Sequence, residues 1–346
     1  MFNMSFGGIG KRSTEKTTRW KERDCFDTKY DSTWEDEDDG IDESKGIPMR
    51  WSYSADRNTN AAEDMQNFRH MLKKVEKTLN AGTVNAYMCY REIPNLLFYQ
   101  NKRPSQPDGV FIDEFHEDWF GQYDRLEWVH SYIQWLFPIQ ERGLNYNSFV
   151  LTPEEIKLFR QDNTVKRRLV MSYKLMLDFY GIELLDERTG SVHCAKNWRE
   201  RFENLNRYSH NNLRITRILK CLGILGLKHY QAPLVRFFLE QTLVKGELPR
   251  VKQSVLDYFM FTVVEKSERK KLIRFAFQNF KPLEEFVWCP KKVQRRFLRE
   301  NKPQTTGHSD SACSKPESDA QAKGIQPKNE GTSGVYSGQN AIAIYK

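Results

Sequence analysis

Apolar side chains recur along most of the chain at intervals of three and four, the spacing that gathers them on one face of an α-helix. Met65, Phe68, Leu72, Val75 and Leu79 step by three, four, three and four; Asn60-Ala-Ala-Glu63 ahead of them has the form of a cap, and Gly82 ends the run. Thr152-Pro153-Glu154-Glu155 is a fuller start signal. Thr152 can accept from the third helical N–H, Pro153 stands where its missing N–H does no harm, and Glu155 can reach back, after which Ile156 and Phe159 point inward. A helix from Asn163 carries Val165, Leu169, Met176 and Tyr180 and closes at Gly181. Another from Ser209 carries Leu213, Ile215, Ile218, Leu219, Leu222 and Leu225 up to Gly226. Pro233 and Pro249 open two more, through Phe237, Leu239 and Leu243 and through Leu256, Phe259 and Val263; Leu272, Phe275 and Phe280 mark a last one before Pro282. There are no clear alternating strands and no internal repeat. The pattern predicts an all-α fold, a single multi-helix globular domain over residues 60–297, with disordered termini at 1–59 and 298–346.

The densest apolar stretch is HSYIQWLFP, His130 to Pro138. Alone it reads equally as a strand with Ile133, Trp135 and Phe137 on one face. Upstream residues favour a helix: Leu126, Val129, Ile133 and Leu136 form one stripe, Trp128, Tyr132 and Trp135 a second. Two adjoining stripes predict a helix buried on most sides and ended by Pro138.

Composition fits this picture. Apolar residues are 39% and charged ones 29% of the 346 residues, with 22 Phe, 15 Tyr and 8 Trp, enough for a sizeable core. No segment holds the roughly eighteen apolar residues a membrane span needs, and the start lacks a secretory signal, so an intracellular protein is expected. Six scattered cysteines without a C-x-x-C pair argue for reduced thiols rather than a zinc ribbon or disulfide framework. The net charge of +8 favours an acidic partner but is unevenly spread: Ser32 to Ser44 is strongly acidic, Cys289 to Lys302 basic.

Little of the polar sequence has the form of catalytic chemistry. His116-Glu117 begins like a zinc-protease motif, but Phe120 stands at the second histidine position. His193-Cys194 lacks defined partners, and Gly223 to Gly226 fits helix capping better than a phosphate loop. No nucleophile–base pair, metal set or cofactor motif remains, so no enzyme and no cofactor are expected. Two binding features stand out. Arg207, His210, Arg214 and Arg217 step by three, four and three, and a single helix spanning them would align a basic face for nucleic-acid phosphates or for acidic residues of this chain, the run at Ser32 to Ser44 among them. Lys291, Lys292, Arg295 and Arg296 read as an import signal for the nuclear transport machinery.

Four stretches carry a family resemblance: NLLFYQNKRPSQPDGVFIDEF, YDRLEWVHSYIQWLFPIQERGLNY, ERFENLNRYSHNNLRITRILKCLGILGLKHYQAPLVRFFLEQTLV and LPRVKQSVLDYFMFTV. In this order, between about Asn95 and Trp288, they resemble the characteristic domain of the opioid growth factor receptor family. The upstream YDSTWEDEDD resembles the acidic opening of the receptor more than its receptor-like paralogue. Cys221 and Ile224 depart from the Ser and Glu of the family pattern, Val264 to Glu268 is less basic, and the chain ends at Lys346 without the long Pro-rich repeats of mammalian members. The resemblance implies a non-enzymatic receptor for the pentapeptide methionine-enkephalin. It also implies nuclear, nuclear-envelope or perinuclear residence, peripheral membrane association at most, and restraint of proliferation. Such a peptide needs a carboxylate for its amine and aromatic walls for its Tyr and Phe, which Asp113, Glu114, Glu117, Asp118 and Trp119 offer. The alternative is a nuclear adaptor or nucleic-acid-binding domain using the basic face.

Overall fold

The computed structural model describes residues 32–34, 57–81 and 93–300. Most of the arm predicted as disordered, and the tail from residue 301, lie outside the described residues. The first long helix, α1 (Thr59–Asn80), has its cap two residues before the predicted one, because Asn58 rather than Asn60 accepts the Ala61 N–H at 3.1 Å. Its predicted stripe of Met65, Phe68, Leu72 and Val75 is buried.

Four short helices follow: α2 (Pro94–Tyr99), α3 (Ile112–Asp118), α4 (Tyr123–Trp128) and α5 (Ile133–Leu136). The stripes from Leu126 to Leu136 predict one helix here, but the chain breaks at residues 129–132. Tyr132 and Trp135 still bury completely; Trp128 turns outward and lies edge-on to Tyr208. Trp135 packs on Phe98 and gives its indole N–H to the Gln106 carbonyl at 2.9 Å.

The helix α6 (Pro153–Gln161) has the predicted reciprocal cap, with the Glu155 N–H on Thr152 Oγ1 at 3.2 Å. Glu155 is wholly buried and also accepts from Asn95 N and Nδ2 at 2.9 Å, which ties α2 to α6. Asp162 caps α7 (Asn163–Phe179), which ends at Gly181 with φ +74°; a Cβ there would lie 2.7 Å from the Trp198 backbone, so both conformation and packing require glycine. An antiparallel hairpin, β1 (Ile182–Asp186) and β2 (Ser191–Cys194), corrects the expectation of no strands and carries His193 and Cys194. Its burial alternates along both strands, but exposed Leu185 stands on the outer face and spoils the apolar–polar alternation of the sequence.

Two helices, α8 (Trp198–Arg207) and α9 (His210–Ile224), stand where one was needed for the basic face; the chain bends at residues 208 and 209. Next come α10 (Gln231–Leu239), drawn on by a π-helical turn at Glu240–Val244, and a segment running from Lys252–Ser254 through a π turn at Val255–Phe259 to Met260–Thr262. The fold closes with α11 (Lys266–Asn279) and α12 (Lys291–Glu300). Helix α12 passes the predicted boundary at Phe297 because Val293 and Phe297 bury one face. The short turn Ser32–Trp34, expected to be disordered, is buried here: Thr33 accepts from Arg269 at 2.7 Å and Trp34 meets Phe297 edge-on.

Candidate functional site

The break between α4 and α5 leaves backbone carbonyls without helical partners, and a buried carbonyl must find a donor. Helix α9 supplies it. Arg214 donates through Nη1 to the Leu126 carbonyl at 2.8 Å and through Nη2 to those of Glu127 and Val129 at 3.2 and 3.1 Å. The same Nη2 reaches His130 Nδ1 at 2.9 Å, so that nitrogen accepts and the imidazole proton sits on Nε2. Burial, then the charges of Arg214 and His210, hold His130 below the usual histidine range. One turn on, Arg217 Nε donates to the Phe137 carbonyl at the end of α5, at 2.8 Å.

Between α9 and the segment it caps lies an open cleft of about 610 Å³, within the usual size range of small-ligand sites. One wall is the α9 face: His210, Leu213, Arg214, Arg217 and Lys220. Opposite stand His130, Ile133 and Gln134 and the loop from Ile139 to Asn147. Gly143 lets that loop close over Gln134, since a Cβ would come within 2.6 Å of its side chain. Asn145 Nδ2 pins the loop to the Gln106 and Ser131 carbonyls at 2.7 and 3.0 Å. Tyr258, on the π turn, completes the lining.

The lining mixes apolar surface with both signs of charge. Leu213, Leu144 and Tyr146 are 68%, 87% and 92% exposed at the rim. Lys220, only 3% exposed, bridges Asp64 at 3.1 Å and both Glu141 oxygens at 3.0 and 2.9 Å. At the other end His210 meets buried Glu127 at 2.6 Å.

Three of the four basic residues picked from spacing therefore meet at this cleft, while Arg207 is exposed on α8 and does not line it. They do not form a single-helix phosphate stripe: Arg214 is buried and engaged by carbonyls. Leu213, predicted to point inward, faces out. Lys220 continues the same step of three, but its setting in ILKCLG gave it the look of core. Asp64, Glu141 and Tyr258 come from distant stretches and carried no signal.

The acidic–aromatic stretch Asp113 to Trp119 lines no part of the cleft. Asp113 forms a two-pronged pair with Arg168 at 2.8 and 2.7 Å, and Glu114 accepts the Phe111 N–H at 2.7 Å. Trp119 is buried against Phe115 and Tyr132, under the Arg125 guanidinium. His116 is buried with Nε2 2.9 Å from Ser172 Oγ, and burial pulls its pKa to about 4. Of the group, Glu114, Glu117 and Asp118 are exposed, Asp113 is half-buried and Trp119 is buried. Lys291, Lys292 and Arg295 are exposed on α12, with Arg296 half-buried beside Phe297. Among the described residues no helix is long and apolar enough to cross a membrane.

The opioid growth factor receptor conserved region matches residues 88–295, which include all the cleft lining except Asp64. The opioid growth factor receptor of Mus musculus is 45% identical over 300 residues, 81% of this chain and 45% of that protein. That of Homo sapiens is 50% identical over 248 residues, 71% of this chain and 35% of that protein. Opioid growth factor receptor-like protein 1 of Rattus norvegicus is 44% identical over 235 residues, 68% and 48% of the two chains. The chain thus spans less than half the length of these curated relatives. No solved structure matches it significantly. With more than half of the chain matched by the conserved region, and identity slightly higher to the receptors than to the receptor-like protein, the chain belongs to the opioid growth factor receptor family.

Proposed function

We propose that this chain is a non-enzymatic peptide receptor that takes methionine-enkephalin, the ligand implied by the family resemblance, into the cleft along α9. The observation that carries this reading is the cleft itself: an apolar rim beside paired charges of both signs. From His210 to Lys220 the wall is about 15 Å long at the helical rise, long enough for a pentapeptide. Ile133, Leu213, Tyr146 and Tyr258 are suited to Tyr and Phe side chains, and the charges to a free amine and carboxylate. Calorimetry with the 346-residue chain tests this: saturable binding at micromolar peptide is expected, weakened by Leu213→Glu. Absence of saturable binding, or indifference to that substitution, refutes the cleft as the site.

We further propose a growth-restraining action in the nucleus, reached through Lys291, Lys292, Arg295 and Arg296; three of them are exposed on α12, as a transport receptor requires. Replacing all four by Ala should hold a fluorescent fusion in the cytoplasm, and unchanged nuclear signal would count against it.

A further inference from the structure

Three cations of α9 face the cleft, and their partners differ in kind. Arg214 gives its terminal nitrogens to three carbonyls, Asn211 and His130. Lys220 is matched by two carboxylates. Arg217, between them, donates only Nε, to Phe137; among the described residues no hydrogen bond or ion pair engages its two terminal nitrogens. It is half-buried, and desolvation pulls its pKa down to about 10 against the charge of Glu141. That carboxylate is already held by Lys220 through both oxygens. The neighbouring Cys221 thiol supplies no charge, because burial pushes its pKa up. Of the three, Arg217 is therefore the one whose terminal nitrogens lack an acceptor among the described residues, with its plane fixed from behind by the Nε bond.

We propose that Arg217 is the carboxylate receptor of the cleft, its two terminal nitrogens taking the C-terminal carboxylate of a bound peptide. Parallel N–H donors match two carboxylate oxygens, and the fixed Nε leaves only the outer pair to a ligand. A guanidinium with two open donors beside Glu141 fits a singly charged carboxylate better than a doubly charged phosphate, which Glu141 would repel more strongly. The inference rests on the peptide reading of the cleft and adds which terminus is held, and where.

The ligand can be altered without touching the fold. On the full chain, the C-terminal amide of methionine-enkephalin should bind roughly tenfold or more weakly than the free acid, the scale of one charge-assisted contact. Arg217→Gln should bind acid and amide alike, at the amide's level, with thermal unfolding confirming that the variant is folded. Equal affinity of the wild-type chain for both peptides overturns the proposal. N-acetyl-methionine separates this failure from that of the enkephalin reading. It should shift the Arg217 Nε–H resonance saturably, and its amide should not. No shift overturns Arg217 as receptor even if the pentapeptide binds. A shift without pentapeptide binding upholds Arg217 and removes enkephalin as the ligand.

Discussion

Two stretches of the chain set charge beside large apolar side chains, Ile112–Trp119 and His210–Lys220, and the fold uses them in opposite ways. In the first, Asp113, Glu114, His116 and Trp119 each find a partner within the fold, and the cluster seals one side of the aromatic core. In the second, Arg214 reaches across to carbonyls left bare by the break between α4 and α5 and Arg217 to the one that ends α5, and a cleft remains between the helix and the segment it caps. The difference lies in what each charge faces. A carboxylate opposite an arginine on a neighbouring helix becomes an internal tie; a cation opposite helix ends holds two walls apart. The same capping recurs elsewhere, with Arg160 on the Ile224 carbonyl and Arg201 on that of Phe179, so part of the net positive charge is used inside the fold.

Deleting the anchor of the closed region should have the largest effect. Trp119→Ala should cost about 3 to 5 kcal/mol in denaturant unfolding, since the ring is buried against Phe115 and Tyr132. A loss below about 1 kcal/mol would mean that this region is not the closed one. The next effect is a pH dependence. His116 titrates near 4 in the fold against an ordinary 6.5, with burial the main cause and the charges of Asp113 and Arg168 opposing each other. The unfolded chain then binds the extra proton between those values. The stability is complete above about pH 6.5 and is lost as pH falls towards 4, by about 3 kcal/mol in all. His116→Gln should flatten that part of the stability curve, and an unchanged slope would assign it to other groups.

What the sequence revealed, and what it hid, follows from range. The caps at Thr152 and Asp162 and the stops at Gly181 and Gly226 rest on residues within four positions of one another, so the helices around them could be read directly. The break at residues 129–132 could not: the carbonyls at and before it are satisfied by Arg214, some 85 positions away, and the one that ends α5 by Arg217, 80 positions away. Periodicity alone therefore joined two short helices into one and turned Trp128 inward. The spacing of His210, Arg214 and Arg217 found three cleft residues, but the idea of phosphate binding assumed that the cations were unengaged. Asp64, Glu141 and Tyr258 are assembled only by tertiary folding.

Asp113→Asn distinguishes the two regions more finely. The pair with Arg168 is part-exposed, so its loss should cost about 1 kcal/mol or less and leave enkephalin affinity unchanged in calorimetry. A tenfold loss of affinity would move the ligand to Ile112–Trp119 and reverse the comparison.

Leu213→Ala is the smallest change to stability and the sharpest for the cleft. The side chain is 68% exposed, so little apolar contact is lost on truncation and unfolding should shift by no more than about 0.5 kcal/mol. A peptide seated on the rim would cover that same surface. Losing its contact should cost about 1 kcal/mol of binding, roughly a fivefold weakening. Trp119→Ala should show the converse, a large loss of stability with binding retained wherever the chain stays folded. If Leu213→Ala lowers stability by more than about 1 kcal/mol, the leucine packs inward as its helical spacing predicts, and α9 presents no apolar rim to a ligand.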